Sequence, residues 1–543
     1  MTSHNELPTS QTLLDVFLAS CRDYAKQPAI QCLGSRLTYR QLYRRCCQFA
    51  GYCQSEGVQA GDRIALMLPN LPQYVTALYG SFMCGATVVN LNPLFKAQEL
   101  TNYLTDSWPQ VIVVLASTTP ELAKALDNMP DYHPQVIVTQ IGDMIGPFYK
   151  RWLINYKKGI QPSQLPQAKV VEWRVCLQKG RQFSWQKPKV SPDDLAFLQY
   201  TGGTTGEPKA AMLTHSNIRA NVEQAFQWIS PPCQAGKETL LAVLPLFHIF
   251  SLVANALVAL RGGAVMILVP DARDIEGVVR LLKKYPISVL MGINTLFEAL
   301  VKHPTFNQLK LSSLKLVIGG GMAVHEHVAH KWQNITHVPI HQGYGLTEAS
   351  PIVCINPIHL KQFNNSIGLP VSHTRVKVVD ENDHELGRNT VGELCVQGPQ
   401  VMQGYWQRPQ DTADTLRNGW LHTGDMARID DQGFVYIVDR KKDMVIVSGY
   451  NVYPQELEQL LVQHDSIEEA AVVGEYHAKL GEALKAFVVT QSDQLTKAEV
   501  ISYCRQHLVS YKVPRRVEFI DALPKSNVGK VLKKQLKNNK SKQ

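Results

Sequence analysis

The sequence has no CxxC pair, no low-complexity tract, no repeat and no uninterrupted apolar run of membrane-spanning length. Its 11 cysteines are scattered and odd in number. That pattern argues against a disulfide framework and against structural zinc, and it suits a reducing cytosol. The first ten residues, MTSHNELPTS, have neither a basic leader nor an apolar core. We therefore expect no secretory signal.

The longest apolar run covers residues 249–270 but is broken by Arg261, Gly262 and Gly263. A charge at the centre of a membrane span costs roughly 2.5–3.5 kcal/mol on insertion scales. The run therefore predicts a buried helix, a glycine turn and a buried strand, and not a membrane span.

Positive charge is concentrated in two segments, although the net charge of the chain is only +9. Residues 150–190 carry ten Lys or Arg and one Glu, and residues 515–543 carry nine against two acids. The remainder is acidic on balance. Two local basic surfaces indicate local anionic partners, and they argue against a protein that coats nucleic acid.

A chain of 543 residues is long enough for two or more domains. Residues 25–350 alternate short apolar runs with helical stretches, which predicts layered α/β structure with largely parallel sheets. After about residue 365, short alternating strands predict a small β subdomain. From about residue 440 we expect a compact α+β unit, with the charged stretch DRKKD (439–443) as the junction.

The strand DLAFLQY (194–200) leads into six consecutive Gly and Thr residues, 201–206, and then to Lys209. Small residues let backbone N–H groups converge on an anion, Thr hydroxyls add donors, and a lysine supplies positive charge. This favours a phosphate-binding loop, and a flexible surface loop is the alternative. The Walker pattern fails because Glu207 and Pro208 separate Gly206 from the lysine.

Three further segments combine glycine with polar or aromatic residues. YGLTE (344–348) offers a flat ring, a hydroxyl and a carboxylate that suits Mg²⁺, with a capped helix start as the alternative. GGGM (319–322) ends a predicted parallel strand, where α/β sheets place ligands, or it is only a tight turn. HTGD (422–425) supplies a carboxylate that can accept two hydrogen bonds, although a lone Asp in a turn is normally structural.

Two segments are uninformative on spacing alone. PLFHIF (245–250) places His248 between aromatic residues, which favours a packing role. PKSNVGK (524–530) places Lys530 in a tail where lysines are usually solvated. Neither a G-x-S-x-G motif nor a Cys/His pairing is evident, so a covalent hydrolase mechanism is unsupported.

The segment YTGGTTGEPKAAMLTH (200–215) resembles the phosphate loop of the adenylate-forming superfamily, and its TGGTTG form is most similar to bacterial long-chain fatty acyl-CoA synthetases. One departure from the family pattern is Ala210, where a Gly usually follows the loop lysine. The resemblance extends in the family's order over nearly the whole chain, through the segments 244–252, 314–324, 341–351, 392–409, 418–454 and 511–534.

The resemblance implies a large N-terminal domain (1–438), a hinge (439–443) and a small mobile C-terminal domain (444–543) that carries the adenylation lysine. It implies catalytic roles for Lys530, Glu348, Thr347 and His248, magnesium at Thr204 and Glu348, and a hinge at Lys442, where many relatives carry Asp. The nucleotide-binding residues that it implies are Thr201, Gly202, Gly203, Thr204, Thr205, Gly206, Lys209, Gly319, Gly320, Gly321, Gln342, Gly343, Tyr344, Gly345, Asp425 and Arg440. CoA is expected at Ser448, Gly449 and Tyr450, and the acyl chain at Gly292, whose small size leaves room, and Thr295.

The expected activity is ATP- and Mg²⁺-dependent conversion of a long-chain fatty acid to an acyl-adenylate and then, with CoA, to acyl-CoA. Medium-chain or other carboxylic acid–CoA ligases of the superfamily remain alternatives, as do a carrier-loading adenylation domain and a non-catalytic lipid-binding relative. We expect a cytoplasmic protein without nucleic-acid partners, and its oligomeric state stays open.

The segment MIGPFYKRWLINYKKGIQ (144–161) mixes Ile145, Phe148, Trp152 and Leu153 with four basic residues. Basic-aromatic amphipathic segments lie on anionic lipid, so this segment predicts a peripheral contact with the inner face of the cell membrane. An ordinary surface helix is the alternative.

Overall fold

The computed structural model describes residues 11–146, 163–201, 208–447, 450–477, 481–492, 494–525 and 531–538. The chain divides into two compact units. Unit 1 comprises residues 1–364, 370–375 and 397–421, and unit 2 comprises residues 365–369, 376–396 and 422–543. The predicted β subdomain after residue 365 falls largely in unit 2, together with the C-terminal α+β structure.

The strands are β1 Pro28–Cys32, β2 Ser35–Thr38, β3 Arg63–Met67, β4 Thr87–Asn90, β5 Val111–Leu115, β6 Gln135–Thr139, β7 Lys169–Glu172, β8 Leu195–Tyr200, β9 Ala210–Thr214, β10 Thr239–Ala242, β11 Val265–Leu268, β12 Val289–Gly292, β13 Leu316–Gly319, β14 Ile340–Gly345, β15 Ile352–Ile355, β16 Leu369–Pro370, β17 Arg375–Val379, β18 Gly392–Gln397, β19 Leu416–Arg417, β20 Trp420–Ile429, β21 Val435–Arg440, β22 Val445–Val447, β23 Tyr450–Val452, β24 Glu469–His477, β25 Gly481–Val489 and β26 Arg516–Phe519.

The α-helices are α1 Leu13–Asp23, α2 Tyr39–Ser55, α3 Pro72–Cys84, α4 Ala97–Ser107, α5 Thr119–Asp127, α6 Trp173–Gly180, α7 His215–Ile229, α8 Ile249–Ser251, α9 Val258–Arg261, α10 Ile275–Lys284, α11 Asn294–Lys302, α12 Glu326–Thr336, α13 Pro409–Thr415, α14 Pro454–Leu461, α15 Lys497–His507 and α16 Lys533–Asn538. A π-helix, Leu252–Leu257, joins α8 to α9.

The first sheet of unit 1 has the order β7-β6-β5-β3-β4-β8-β9. Its strands are parallel except for the final β8–β9 pair, which is antiparallel. Every residue of β5, VIVVL, is buried, as expected for a parallel strand covered by helices on both faces. Alternate residues of β3 pack into two different clusters, Ile64 and Leu66 in one and Ala65 and Met67 in the other.

The second sheet of unit 1 contains β15-β14-β13-β12-β10-β11-β1-β2 in that order. Strands β10 to β14 pair in parallel, so the carboxyl ends of β10, β12, β13 and β14 lie along one edge. His248 follows β10, Gly292 ends β12, Gly319 ends β13 and Tyr344 lies near the end of β14. The sheet therefore brings four separate sequence motifs to the edge where α/β folds bind ligands.

The apolar run 249–270 forms α8, the π-helix, α9, a turn and β11, which confirms the predicted helix, glycine turn and strand. Gly263 in the turn has a φ of +67°, a conformation that favours glycine. Arg261 pairs with Glu223, its Nε 2.8 Å from Oε1, so the charge inside the run is compensated. Among the described residues, no helix combines the length and the apolarity that a membrane crossing requires.

Unit 2 contains two small sheets. Strands β17, β18, β20 and β21 are neighbours in one, and the other has the order β23-β22-β25-β24 with β26 parallel to β25. Helices α14 and α15 cover the second sheet through a core that includes Leu457, Leu461, Val500 and Cys504. The predicted class, a mixed α/β protein with a large N-terminal part and a smaller C-terminal α+β part, is confirmed.

Candidate active site

The glycines after β13 let the backbone approach its neighbours closely. A Cβ on Gly319 would lie 2.6 Å from Cγ2 of Val324, and one on Gly320 would lie 3.1 Å from the carbonyl oxygen of Gly343. Gly321 has a φ of +76°, which side-chain-bearing residues rarely adopt. These positions therefore require glycine for packing and backbone conformation, and their predicted place beside adenine stays a prediction.

The residues of β14 divide into a buried part and an open part. Gln342 is buried, and its side-chain oxygen accepts a hydrogen bond from the backbone N–H of Val324 at 3.0 Å. Gln342 thus holds the turn after β13 in place. Gly343 and Tyr344 are partly exposed, and a Cβ on Gly345 would overlap the carbonyl oxygen of Pro351. The predicted stacking of the Tyr344 ring on adenine stays a prediction.

Glu348 lies in the short 3₁₀ turn Thr347–Ala349 and is held at two points. The hydroxyl of Tyr405 donates a hydrogen bond of 2.6 Å to Oε1 of Glu348. The backbone N–H of Met402 donates a hydrogen bond of 2.8 Å to the carbonyl oxygen of Glu348. Burial and the neighbouring Glu348 carboxylate raise the pKa of Tyr405 well above its usual value, so the phenol remains a donor. Tyr405 is not among the site residues predicted from the sequence, although it lies in the segment 392–409, which carries part of the family resemblance.

Thr201 and Lys209 flank the Gly/Thr loop at the ends of β8 and β9. The backbone N–H of Thr201 donates a hydrogen bond of 3.0 Å to the carbonyl oxygen of Lys209. The Lys209 ammonium group forms an ion pair with Asp411 and lies 5.7 Å from the centre of the Tyr405 ring. Ala210, the departure from the family pattern, is buried as the first residue of β9. Gly202, Gly203, Thr204, Thr205 and Gly206 lie outside the described residues.

The predicted acyl-site residues lie at the ends of β10 and β12. His248 precedes α8, and its Nδ1 accepts a hydrogen bond of 3.4 Å from the backbone N–H of Phe250, so it caps the helix. A Cβ on Gly292 would lie 2.5 Å from Cζ of Phe297, so Phe297 fills the space beside this glycine. Thr295 is partly exposed on α11. The acyl pocket stays a prediction.

In unit 2, the fold brings together the two residues predicted to bind ribose. Asp425 on β20 and Arg440 on β21 are cross-strand neighbours, with Nε of Arg440 3.4 Å from Oδ1 of Asp425. The backbone N–H of Asp425 donates a hydrogen bond of 3.1 Å to Oγ1 of Thr423. Asp425 is therefore oriented by its own loop as well as by the arginine.

The hinge and CoA candidates follow β21. Lys442 lies in the 3₁₀ turn Lys441–Asp443, and burial together with the nearby Arg440 lowers its pKa. Tyr450 is exposed and stacks on Tyr511, with the ring centres 4.4 Å apart. Ser448, Gly449 and Lys530 lie outside the described residues.

One expectation from the sequence is wrong, because the fold does bring a Cys and a His together. Sγ of Cys395 on β18 lies 3.4 Å from Nδ1 of His422 on β20. The thiol is buried, and the same imidazole lies 3.6 Å from the carboxylate of Glu393. Because a substrate cannot reach this buried thiol, the pair gives no support to a covalent hydrolase mechanism. Residues 27 positions apart meet here through strand pairing, which local spacing does not reveal.

Over the part of the chain that the structure describes, no group of three or more His, Cys, Asp and Glu side chains is arranged to hold a metal ion. Magnesium is commonly bound by one or two carboxylates together with substrate phosphates. Tyr405 donates one hydrogen bond to Oε1 of Glu348, and the carboxylate keeps oxygen lone pairs of the type that Mg²⁺ prefers as ligands.

Comparison with known proteins identifies the family. Residues 17–406 match the AMP-binding enzyme family, and residues 456–530 match the AMP-binding enzyme C-terminal domain. The chain is 46% identical over 533 residues to the long-chain-fatty-acid–CoA ligase of Escherichia coli O157:H7, covering 97% of this chain and 94% of that protein. It is 37% identical to the enzyme of the same name from Bacillus subtilis, covering 98% and 95%. ATP-bound MatB from Rhodopseudomonas palustris superposes with a TM-score of 0.82 at 26% identity, covering 97% of this chain and 98% of that structure. The chain belongs to the AMP-binding enzyme family.

Proposed function

We propose that this protein is a long-chain fatty acid–CoA ligase that forms acyl-CoA, AMP and pyrophosphate. The observation that carries the proposal is the 46% identity to a long-chain-fatty-acid–CoA ligase across 97% of the chain, a span that includes both units. Within unit 1, Tyr405 contacts both Glu348 and Lys209, and within unit 2, Asp425 pairs with Arg440; each of these groups supports the adenylate-forming chemistry.

The reaction has two steps because oxide is a poor leaving group from a carboxylate. The fatty carboxylate oxygen attacks the α-phosphorus of ATP, the bond to the β-phosphate oxygen breaks, and pyrophosphate leaves. The thiolate sulfur of CoA then attacks the carbonyl carbon of the acyl-adenylate, and AMP leaves with the electron pair of the broken C–O bond. In the first step, negative oxygens crowd together, so the protein must stabilise their charge.

We infer that Tyr344 stacks on adenine, that Asp425 accepts hydrogen bonds from the ribose hydroxyls and that Arg440 assists it. Lys209 and the loop 201–206 contact the phosphates. Glu348 and Thr204 would hold Mg²⁺, which supplies positive charge to the phosphate oxygens when bound. Thr347 adds a hydroxyl donor to the phosphate.

We assign Lys530 to the first step, where its ammonium group bridges the carboxylate and the α-phosphate. The second step needs space for the pantetheine arm, so the C-terminal domain turns about Lys442 and presents Ser448, Gly449 and Tyr450 to CoA. The lowered pKa of Lys442 suits a residue that exchanges partners during such a motion.

The test of the activity is exchange of labelled pyrophosphate into ATP with magnesium and oleate. CoA-dependent AMP release is then measured with a series of fatty acids and with acetate and benzoate. Highest kcat/KM for long chains supports the proposal, and a maximum at medium chains or benzoate supports the alternative carboxylic acid–CoA ligases. Absence of exchange with every acid contradicts adenylate formation.

The variant Lys530→Ala tests whether this lysine acts in the first step only. Adenylation should fall at least about 100-fold, whereas thioester formation from preformed acyl-AMP should survive. Equal loss in both half-reactions would reject the separate role of this lysine.

We also propose a cytoplasmic location with a peripheral membrane contact through residues 144–161. Ile145 is buried in the core of unit 1, so the lipid-facing apolar side chains would be Phe148, Trp152 and Leu153. Residues 147–161 lie outside the described residues. Liposome flotation should show weaker binding to anionic vesicles when Lys150, Arg151, Lys157 and Lys158 are neutralised, and unchanged binding rejects the contact.

A further inference from the structure

The segment after β18 is attached on two sides to the elements that carry Glu348 and Lys209. The backbone N–H of Met402 bonds to the carbonyl oxygen of Glu348, and the backbone N–H of Trp406 bonds to the carbonyl oxygen of Ala210 at 2.8 Å each. Between these two anchors lies Tyr405. Its own N–H donates a hydrogen bond of 2.9 Å to Oγ1 of Thr412, at the start of α13.

The side chain of Tyr405 contacts both charged groups of the candidate site in unit 1. The hydroxyl of Tyr405 donates a hydrogen bond of 2.6 Å to Oε1 of Glu348. The ammonium nitrogen of Lys209 lies 5.7 Å from the centre of the Tyr405 ring. Only 8% of Tyr405 is exposed, so the ring has little freedom to move. Lys209 is also fixed from its other side by the ion pair with Asp411.

We propose that Tyr405 is a positioning residue for carboxylate activation: its hydroxyl fixes the rotamer of Glu348 and directs Oε2 toward magnesium and the phosphates. Its ring holds Lys209 beside the same carboxylate. The proposal rests on the proposed function for its chemistry.

The physical basis is preorganisation. A glutamate side chain has several rotamers. A ligand that binds only one of them loses affinity, because binding removes the conformational entropy of the side chain. A short hydrogen bond from a buried phenol to a carboxylate removes that freedom before the ligand arrives. Because Tyr405 takes one lone pair of Oε1, the metal meets less competition at Oε2.

The test uses Tyr405→Phe in the full-length protein, since this change removes only the hydroxyl and keeps the ring. The half-saturating Mg²⁺ concentration for pyrophosphate exchange should rise about tenfold, and kcat at saturating Mg²⁺ should fall by less. Calorimetric titration with Mg²⁺ and ATP in the absence of fatty acid should show a matching loss of affinity. The melting temperature should stay close to that of the wild type.

A matched control is Tyr436→Phe in unit 2. The hydroxyl of Tyr436 also donates a hydrogen bond to a carboxylate, 3.2 Å from Oδ2 of Asp430, and this change removes it. It should leave both measurements unchanged. A Tyr405→Phe protein with normal Mg²⁺ dependence would overturn the proposal, even if its kcat fell. If the wild type showed no fatty-acid-dependent exchange, the proposed function would fail, while the calorimetric comparison would still decide the role of Tyr405.

A double-mutant cycle with Glu348→Gln tests whether Tyr405 acts through Glu348. Removal of the tyrosine hydroxyl should have little further effect on Mg²⁺–ATP affinity in the Glu348→Gln protein. Independent effects, with the affinity losses of the two single variants multiplying in the double variant, would overturn the proposed coupling.

Discussion

In unit 1, Glu348 and Lys209 of the candidate site lie beside the ends of strands, whereas unit 2 contains an ion pair between two helices, Lys533 with Glu458, in its packed interior. Glu348 accepts a hydrogen bond from Tyr405, Lys209 pairs with Asp411, and both residues are partly exposed. In unit 2, Nζ of Lys533 on α16 lies 2.7 Å from Oε1 of Glu458 on α14, with about one-sixth of each side chain exposed.

The environment of Lys533 shows how closely charge and packing are linked in unit 2. The same Glu458 oxygen accepts a hydrogen bond of 2.7 Å from the backbone N–H of Val472 on β24. Burial alone would lower the pKa of Lys533, but Glu458 and Asp439 outweigh it and raise the pKa. The comparison implies that substitution of Glu348 in unit 1 costs activity, whereas substitution of Lys533 in unit 2 costs stability.

The largest expected effect is that of Lys533→Met, which leaves the buried Glu458 carboxylate without its counter-charge. Breaking one partner of a buried ion pair costs about 3–5 kcal/mol. We expect unit 2 to be destabilised on that scale and the amide hydrogen of Val472 to exchange much faster. Lys537→Met, an exposed position on the same helix, is the control. Equal exchange in the two variants would show that the pair does not stabilise unit 2.

The next effect is that of Glu348→Gln in unit 1. Gln keeps an oxygen that accepts the Tyr405 hydrogen bond but removes the negative charge, so we expect pyrophosphate exchange to fall about 100-fold. The melting temperature should change by no more than that of Glu172→Gln, an exposed position on β7. A large loss of stability would contradict the contrast between the units.

The pH dependence of stability sharpens the comparison, because unit 1 contains two buried histidines. Burial lowers the pKa values of His215 and His341 from 6.5 to about 4. In both cases the folded state favours the neutral ring. The free energy of unfolding is therefore highest above about pH 6.5, and it decreases as the pH falls toward 4. Because the unfolded state takes up the proton more readily, acidification from neutral pH to below about pH 4 removes on the order of 3 kcal/mol of stability for each histidine.

Thermal melts between pH 7 and pH 4.5 should therefore show progressive loss of stability. His215→Leu should reduce the slope because it removes one of the groups whose pKa burial lowers to about 4. His384→Leu, which changes an exposed histidine of unit 2, serves as the control. A slope equal to that of the wild type in His215→Leu would rule out this origin of acid sensitivity.

The smallest effect is expected for Asp411→Asn, which releases Lys209 from its ion pair. About one-third of each side chain is exposed, so the pair contributes less than about 1 kcal/mol to stability. Because Lys209 no longer has a competing carboxylate, KM for ATP should fall about twofold. Asp414→Asn, on the exposed side of the same helix, should change neither quantity. A rise in KM would mean that Asp411 places the lysine for its ligand.

Much of the fold was predictable because its strands and helices follow from local patterns of apolar residues. The run VIVVL is buried on both faces of a parallel sheet, and the interrupted run 249–270 forms a helix, a turn and a strand. The placement of the glycine motifs at strand ends was also predictable. GGGM (319–322) begins at the last residue of β13, and YGLTE (344–348) begins within β14.

The partners of the site residues were not predictable in this way. Tyr405 lies 57 residues from Glu348, and Asp411 lies 202 residues from Lys209. Phe297 fills the space beside Gly292, where the sequence suggested room for a chain. Each of these contacts depends on how distant segments pack, and residue spacing along one element contains no information about that.

The sequence by itself determined the strands, the helices and the chemical groups placed at their ends, because these follow from apolar periodicity, glycine conformation and side-chain type. The tertiary structure alone decided which polar groups meet: Asp425 with Arg440, Lys533 with Glu458, and Glu348 with Tyr405. The physical reason is that strand order and loop packing bring together side chains that lie far apart along the chain.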